Sequence, residues 1–141
     1  MLTLGETVNA ANATATAHRS LVVLPTYNER ENIESIVTAI LGQSPDAEVL
    51  VVDDNSPDGT TDAVRALQAR DSRIHVICRT DQRGYGSATI AGMRYGIRNG
   101  YEVILTLDAD FSHDPADLPR LVEALTEADV VAATKCHHGR E

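Results

Sequence analysis

From Ser20 onward, short apolar runs alternate with stretches of helical period. Leu21-Val22-Val23-Leu24 is a continuous run stopped by Pro25. Ile33, Ile36, Val37, Ile40 and Leu41 then recur at helical spacing, ended by Gly42 and Pro45. Val49-Leu50-Val51-Val52 is the next run, closed by the turn-rich Asp53-Asp54-Asn55-Ser56-Pro57-Asp58-Gly59. Thr60 or Thr61 is expected to cap a helix with Ala63, Val64, Ala66 and Leu67 as its apolar face. Ile74-His75-Val76-Ile77-Cys78 predicts a third strand, and the turn Arg83-Gly84-Tyr85-Gly86 leads into a helix over about Ser87 to Arg98. Val103-Ile104-Leu105-Thr106-Leu107 predicts a fourth strand. Pro115 starts a helix with Leu118, Leu121, Val122 and Leu125 as its buried stripe, and Val130-Val131-Ala132-Ala133 predicts a fifth strand.

The predicted order is βαβαβαβαβ. The strands read as continuous apolar runs because helices cover both faces of a parallel sheet. The expected fold class is therefore α/β, an open, mostly parallel sheet with right-handed crossovers. Residues 1–19, rich in Ala and Thr, are expected to be a flexible N-terminal extension, and residues 20–141 to form the domain.

Composition narrows the function. The chain has 141 residues, 43% of them hydrophobic, enough for a proper core and too many for disorder. The formal net charge of −9 argues against nucleic acid as a partner and against purely electrostatic docking on an anionic membrane. Cys78 and Cys136 form no CxxC pair and no disulfide framework, so a reducing compartment is expected. No apolar run is long enough to span a bilayer, and the start of the chain lacks the basic-then-apolar pattern of a secretory leader.

In an open parallel sheet, ligands bind beyond the carboxyl ends of the strands. Three of those ends carry polar clusters: Pro25-Thr26-Tyr27-Asn28-Glu29, Asp53-Asp54-Asn55-Ser56, and Asp108-Ala109-Asp110-Phe111-Ser112-His113. Asp108 and Asp110 stand two apart, so in an extended segment both carboxylates face one point. Two such groups repel unless a cation sits between them, and hard oxygen ligands suit Mg²⁺ or Mn²⁺. Asp53 and Asp54 are adjacent, so one is expected to accept hydrogen bonds from a base or a ribose and the other to cap a turn. Tyr27 offers a ring or a hydroxyl to a base. Arg83-Gly84-Tyr85-Gly86 opens a helix as a phosphate-binding turn does. It reads G-x-G-x-x-T, with Thr89 where a dinucleotide fingerprint has glycine, and it follows the third strand rather than the first, which argues against a nicotinamide or flavin site.

Leu24-Pro25-Thr26-Tyr27-Asn28-Glu29, the stretch from Val51 to Thr60, Arg83-Gly84-Tyr85-Gly86 and Leu107-Asp108-Ala109-Asp110-Phe111-Ser112-His113-Asp114-Pro115 occur in this order. Together, over about Ser20 to Thr134, they resemble the family-two inverting glycosyltransferases of the GT-A, Rossmann-like fold. The branch they look most like is the polyprenol-phosphate (dolichol-phosphate) mannosyltransferases. The resemblance implies that Pro25, Tyr27 and Glu29 line a nucleotide pocket and that Asp53 or Asp54 contacts the base or ribose. It implies that Asp108 and Asp110, with Ala109 between them, form the catalytic metal and diphosphate motif, with Ser112 as a further metal ligand. Arg83 and Lys135 would add to nucleotide-sugar binding, Lys135 standing where relatives carry an Arg and so lacking the bidentate fork. The implied donor is GDP-mannose or a UDP-sugar, the cofactor Mg²⁺ or Mn²⁺, and the acceptor a polyprenyl phosphate.

The resemblance ends near the chain's own end, so this looks like the nucleotide-sugar-binding half of such an enzyme, truncated at the C-terminus. A partner chain or the missing half would supply the acceptor side. The isolated chain is then expected to associate or to be only marginally stable, and to transfer little sugar or to act as a non-catalytic binding module. The intact enzyme is expected in the cytoplasm, peripheral at the cytoplasmic membrane face.

Overall fold

In the computed structural model, residues 19–133 are described. Most of the expected N-terminal extension lies outside them. Its last residue, Arg19, belongs with the domain: it donates to Glu48 at 3.3 Å and to the Asn99 carbonyl at 2.7 Å, and its guanidinium lies over the Tyr101 ring.

The elements run β1 (Ser20–Thr26), α1 (Arg30–Gln43), β2 (Ala47–Asp53), α2 (Thr60–Gln68), β3 (Ile74–Cys78), α3 (Tyr85–Arg98), β4 (Val103–Thr106), a 3₁₀ turn (Pro115–Asp117) and α4 (Leu118–Ala124). All strand pairs are parallel, in the order β3-β2-β1-β4. Successive side chains on a strand point to opposite faces, so a continuous apolar run fills two cores at once. On one face Val22, Leu24, Val49 and Val51 pack with the stripe of α1, with Val64 and Leu67 of α2, and with Leu118. On the other, Leu21, Val23, Leu50 and Val52 lie under α3.

Pro25 does not end β1; it pairs in register with Val52. The Leu107 N–H donates to the Val23 carbonyl, so Val23 faces β4, and Pro25, two residues on, faces the same way. The β4 ladder has stopped there, at Val23 opposite Thr106, so the proline's missing N–H costs no strand bond.

Five further expectations need correction. Val130-Val131-Ala132-Ala133 is not a strand, and Val130 is 84% exposed. Two of its four residues are alanines that bury little area, and no described strand lies beside it to complete a ladder. Helix α2 is not capped by Thr60 or Thr61. Gly59 is its N-cap, and Asp58 accepts from the Thr60 N–H at 3.0 Å. Ala66 faces solvent, and of the stripe on α4 only Leu118 is fully buried. Asp108 lies past the end of β4 and Asp110 in the turn after it, so extended geometry does not describe the pair.

Helix α3 packs on the sheet through Ala88, Gly92 and Gly96, spaced four apart. A Cβ on Gly92 would lie 2.2 Å from Cγ1 of Val23, which is fully buried. Gly92→Ala is expected to destabilise the fold by about 1–3 kcal/mol, the cost of overpacking a filled core. An unchanged urea midpoint would contradict this packing. Among the described residues no helix is long and apolar enough to cross a membrane.

Candidate active site

The strand order reverses at β1. The chain steps from β1 outward to β2 and β3, then returns to place β4 on the other side of β1. Such a switch point opens a crevice at the carboxyl ends of the two strands that part there. A cavity of about 650 Å³ occupies that position, within the usual range for a small-molecule site. Its walls come from Pro25, Thr26, Tyr27 and Glu29 after β1, Asp54 after β2, Arg83, Gly84, Tyr85 and Ala88 at the start of α3, and Asp108, Ala109 and Asp110 after β4.

The β1 wall is held by the loop after β2. The Asn28 N–H donates to Ser56 Oγ at 2.8 Å, the Glu29 N–H to Thr60 Oγ1 at 3.1 Å, and the Arg30 N–H to Asp58 Oδ2 at 3.0 Å. These are orphan donors at the start of α1, supplied with acceptors by the Ser56-Pro57-Asp58-Gly59-Thr60 turn. Gly59 has φ +86, a left-handed conformation that favours glycine, while the nearest atom to a Cβ there, Arg30 Nη1 at 3.0 Å, ends a flexible side chain that could move aside.

Asp53 and Asp54 part company. Asp53 is fully buried and does not line the cavity. Its Oδ1 accepts from Thr26 Oγ1 at 2.7 Å and Ser56 Oγ at 2.6 Å, and its Oδ2 from the Ser56 N–H at 3.0 Å and Thr61 Oγ1 at 2.6 Å. With every bond of that kind spent on the protein, Asp53 is a strut rather than a base contact. Asp53→Asn turns one acceptor into a donor facing donors, and is expected to cost about 1–2 kcal/mol of stability. Nucleotide affinity, measured by calorimetry below the melting transition, is expected to stay unchanged.

Asp54 does line the cavity, but it too is engaged. Its Oδ1 accepts from Arg79 Nε at 2.7 Å and its Oδ2 from the Gly84 N–H at 2.8 Å. Arg79 is 8% exposed and also donates to the Gly84 carbonyl at 3.2 Å and to Ser87 Oγ. The pair therefore ties the end of β2 to the turn that opens α3. Arg79 is not among the residues expected at the site; its place directly after the third strand, at a carboxyl end of the sheet, is the sequence signal for it. Thr26, Gly84, Tyr85 and Ala88 join the walls as well, beyond the residues expected there. Arg83 lies over the Tyr27 ring, 5.3 Å from its centroid, so the two expected binding residues form one side of the mouth.

On the β4 wall, Ser112 joins the two carboxylates. Its Oγ donates to Asp108 Oδ2 at 3.1 Å and its N–H to Asp110 Oδ1 at 2.9 Å. Hydrogen bonding from Ser112 holds the Asp110 carboxyl below the ordinary carboxylate range. Ser112 does not itself line the cavity, so it orients the pair rather than adding an obvious ligand. Hydrogen bonding toward Asp108, with burial and the charges of Asp108 and Asp110, pushes the Tyr85 hydroxyl up to about 12, so it stays a donor. Phe111, between the acids and Ser112, has φ +62, which sharpens the turn.

One atom stands out. Asp108 Oδ1 is buried and has no hydrogen-bond partner among the described residues. An ionised oxygen in that state fits a bound cation, so the residues present suit a divalent metal. Among the described residues no three His, Cys, Asp or Glu side chains cluster as a metal site. Phosphate oxygens and water would have to complete the shell, as Mg²⁺-type sites allow. Lys135 lies outside the described residues.

Comparison with known proteins agrees with this geometry. A solved structure of a mannosyltransferase from Pyrobaculum calidifontis, in complex with GDP-Man and Mn²⁺, superposes with TM-score 0.66 at 30% identity, over 80% of this chain and 34% of that one. A glucosyl-3-phosphoglycerate synthase from Mycobacterium tuberculosis, with Mn²⁺ and UDP bound, gives TM-score 0.61 at 25% identity over 82% of this chain and 42% of that one. The fold is thus that of the GT-A glycosyltransferases, and both of these neighbours were solved with Mn²⁺ and a nucleotide or nucleotide-sugar.

Among curated proteins, the undecaprenyl-phosphate mannosyltransferase of Micrococcus luteus is 45% identical over 117 residues, covering 83% of this chain and 48% of that protein. The polyprenol monophosphomannose synthase of Mycolicibacterium smegmatis is 47% identical over 108 residues, covering 76% of this chain and 41% of that protein. The chain therefore spans about half the length of the curated relatives it matches. Residues 21–140 match the family described as Glycosyl transferase family 2, and the chain belongs to that family.

Proposed function

We propose that residues 20–141 form the nucleotide-sugar-binding part of a glycosyltransferase that moves mannose from GDP-mannose to a polyprenyl phosphate, with inversion, at the cytoplasmic face of a membrane. The single observation that carries the reading is the buried, unpartnered Oδ1 of Asp108, a residue that lines the switch-point cavity together with Asp110. The names of the relatives support mannose and a polyprenyl acceptor, and the Pyrobaculum neighbour supports GDP-mannose and Mn²⁺.

In this reading Asp108 and Asp110 hold a Mg²⁺ or Mn²⁺ ion. Bound there, it would supply positive charge to offset that building on the departing diphosphate. Tyr27 and Arg83 flank the base end of the donor, with Glu29 and Asp54 on the neighbouring walls. The acceptor phosphate is an anion near neutral pH and attacks the anomeric carbon directly. It needs no strong base from the protein, and direct displacement inverts that carbon. A second reading is a nucleotide-sugar-binding module without transfer, which the same cavity and the same carboxylates would serve.

A transfer assay with labelled GDP-mannose, a short polyprenyl phosphate and Mn²⁺ tests both. Label appearing in the lipid phase supports transfer. GDP binding without turnover selects the second reading. Absence of metal-dependent GDP binding would overturn both.

A further inference from the structure

Helix α3 is inside out. Its small residues Ala88, Gly92 and Gly96 meet the sheet, while its large apolar residues face solvent. Ile90 is 51% exposed, Met93 39% and Ile97 71%. They recur at i, i+3 and i+7, one stripe down the outer face. Burial on the sheet does not account for this arrangement, because the Gly92 and Gly96 contacts leave no space there for larger side chains. Bulk placed outward implies something to receive it.

The charges identify the recipient. Arg94 and Arg98 run along one side of the stripe, α3 contains no acidic residue, and neither arginine makes an ion pair among the described residues. The chain as a whole carries −9, so this helix is a local reversal of sign. A helix with an apolar stripe bordered on one side by arginines suits the headgroup boundary of an anionic bilayer, where apolar contact and electrostatic attraction act together.

We propose that the outer face of α3 docks on an anionic membrane, with Ile90, Met93 and Ile97 entering the interface and Arg94 and Arg98 meeting lipid phosphates. The first turn of the same helix supplies Tyr85 and Ala88 to the cavity wall, so docking sets the mouth of the site beside the bilayer. The inference rests on the proposed function for its acceptor, a lipid phosphate, and names the surface that brings the cavity to it. This does not restore docking by net charge alone: the apolar stripe is required.

Co-sedimentation of the 141-residue chain with vesicles of phosphatidylcholine, with and without phosphatidylglycerol, tests it. Metal-dependent GDP binding is measured in parallel, so the docking surface and the nucleotide site can fail separately. The chain is expected to pellet with the anionic vesicles and much less with neutral ones. R94Q/R98Q should lower partitioning roughly five-fold for each charge removed. I90S/I97S should lower it at least about ten-fold, since both side chains carry buried-methylene transfer energy. Both variants should keep wild-type GDP binding and melting, because the altered side chains are exposed. The proposal is overturned if the wild-type chain ignores anionic vesicles, or if both variants bind them as well as wild type does. It is also overturned if sedimentation equilibrium shows a dimer that I90S/I97S dissolves, which would make a second copy the occupant.

Discussion

Arg79→Ala is expected to destabilise the domain by about 3–5 kcal/mol, the scale of leaving a buried charge without its partner. Asp54 is 5% exposed and would be left with only the Gly84 N–H to meet it. The Gly84 carbonyl and Ser87 would lose their donor as well, so the turn opening α3 would slacken. Total stability of a domain this size is about 5–15 kcal/mol, so urea denaturation should show a large shift of midpoint. The double change Arg79→Met with Asp54→Leu removes both charges together, and should recover much of the stability. It should not recover nucleotide affinity, because the Arg83–Tyr85 wall would remain unanchored. A single Arg79→Ala variant that melts like the wild type would show that water reaches this pair.

Asp108→Asn is expected to act in opposite directions on binding and on stability. Metal-dependent GDP binding should fall by more than the roughly 10–100-fold typical of losing a residue that only supports a ligand. Without metal, the variant should melt at or above the wild-type temperature. Its Oδ1 is buried with no partner, and its charge stands near that of Asp110, so neutralising it relieves a cost the free protein carries. Such an exchange of stability for binding is what a cation site imposes on its ligands. Isothermal calorimetry with Mn²⁺ and GDP, paired with melting in a chelator, reads both effects. Unchanged affinity would remove Asp108 from the metal site, and a large loss of stability without metal would make it a structural residue.

The two outcomes together separate the anchors of the cavity from its working groups. Arg79 acts through the backbone it holds, and Asp108 acts on what enters. The pattern of apolar residues alone determined four parallel strands, the helices between them, and the rim on which three polar clusters gather. Those features are local: a run of Val, Leu and Ile between turn residues has few other ways to bury itself. Only the tertiary structure divided labour between Asp53 and Asp54. They are neighbours in sequence, but Thr26, Ser56 and Thr61 converge on one, and Arg79 and Gly84 on the other, from segments up to about 30 residues away. It alone decided that Val130 to Ala133 form no strand, since a strand needs a neighbour as well as a propensity. And it alone turned α3 inside out: glycine and alanine carry no signal in an apolar pattern, yet they are the residues small enough to let this helix approach Val23 and Ile104.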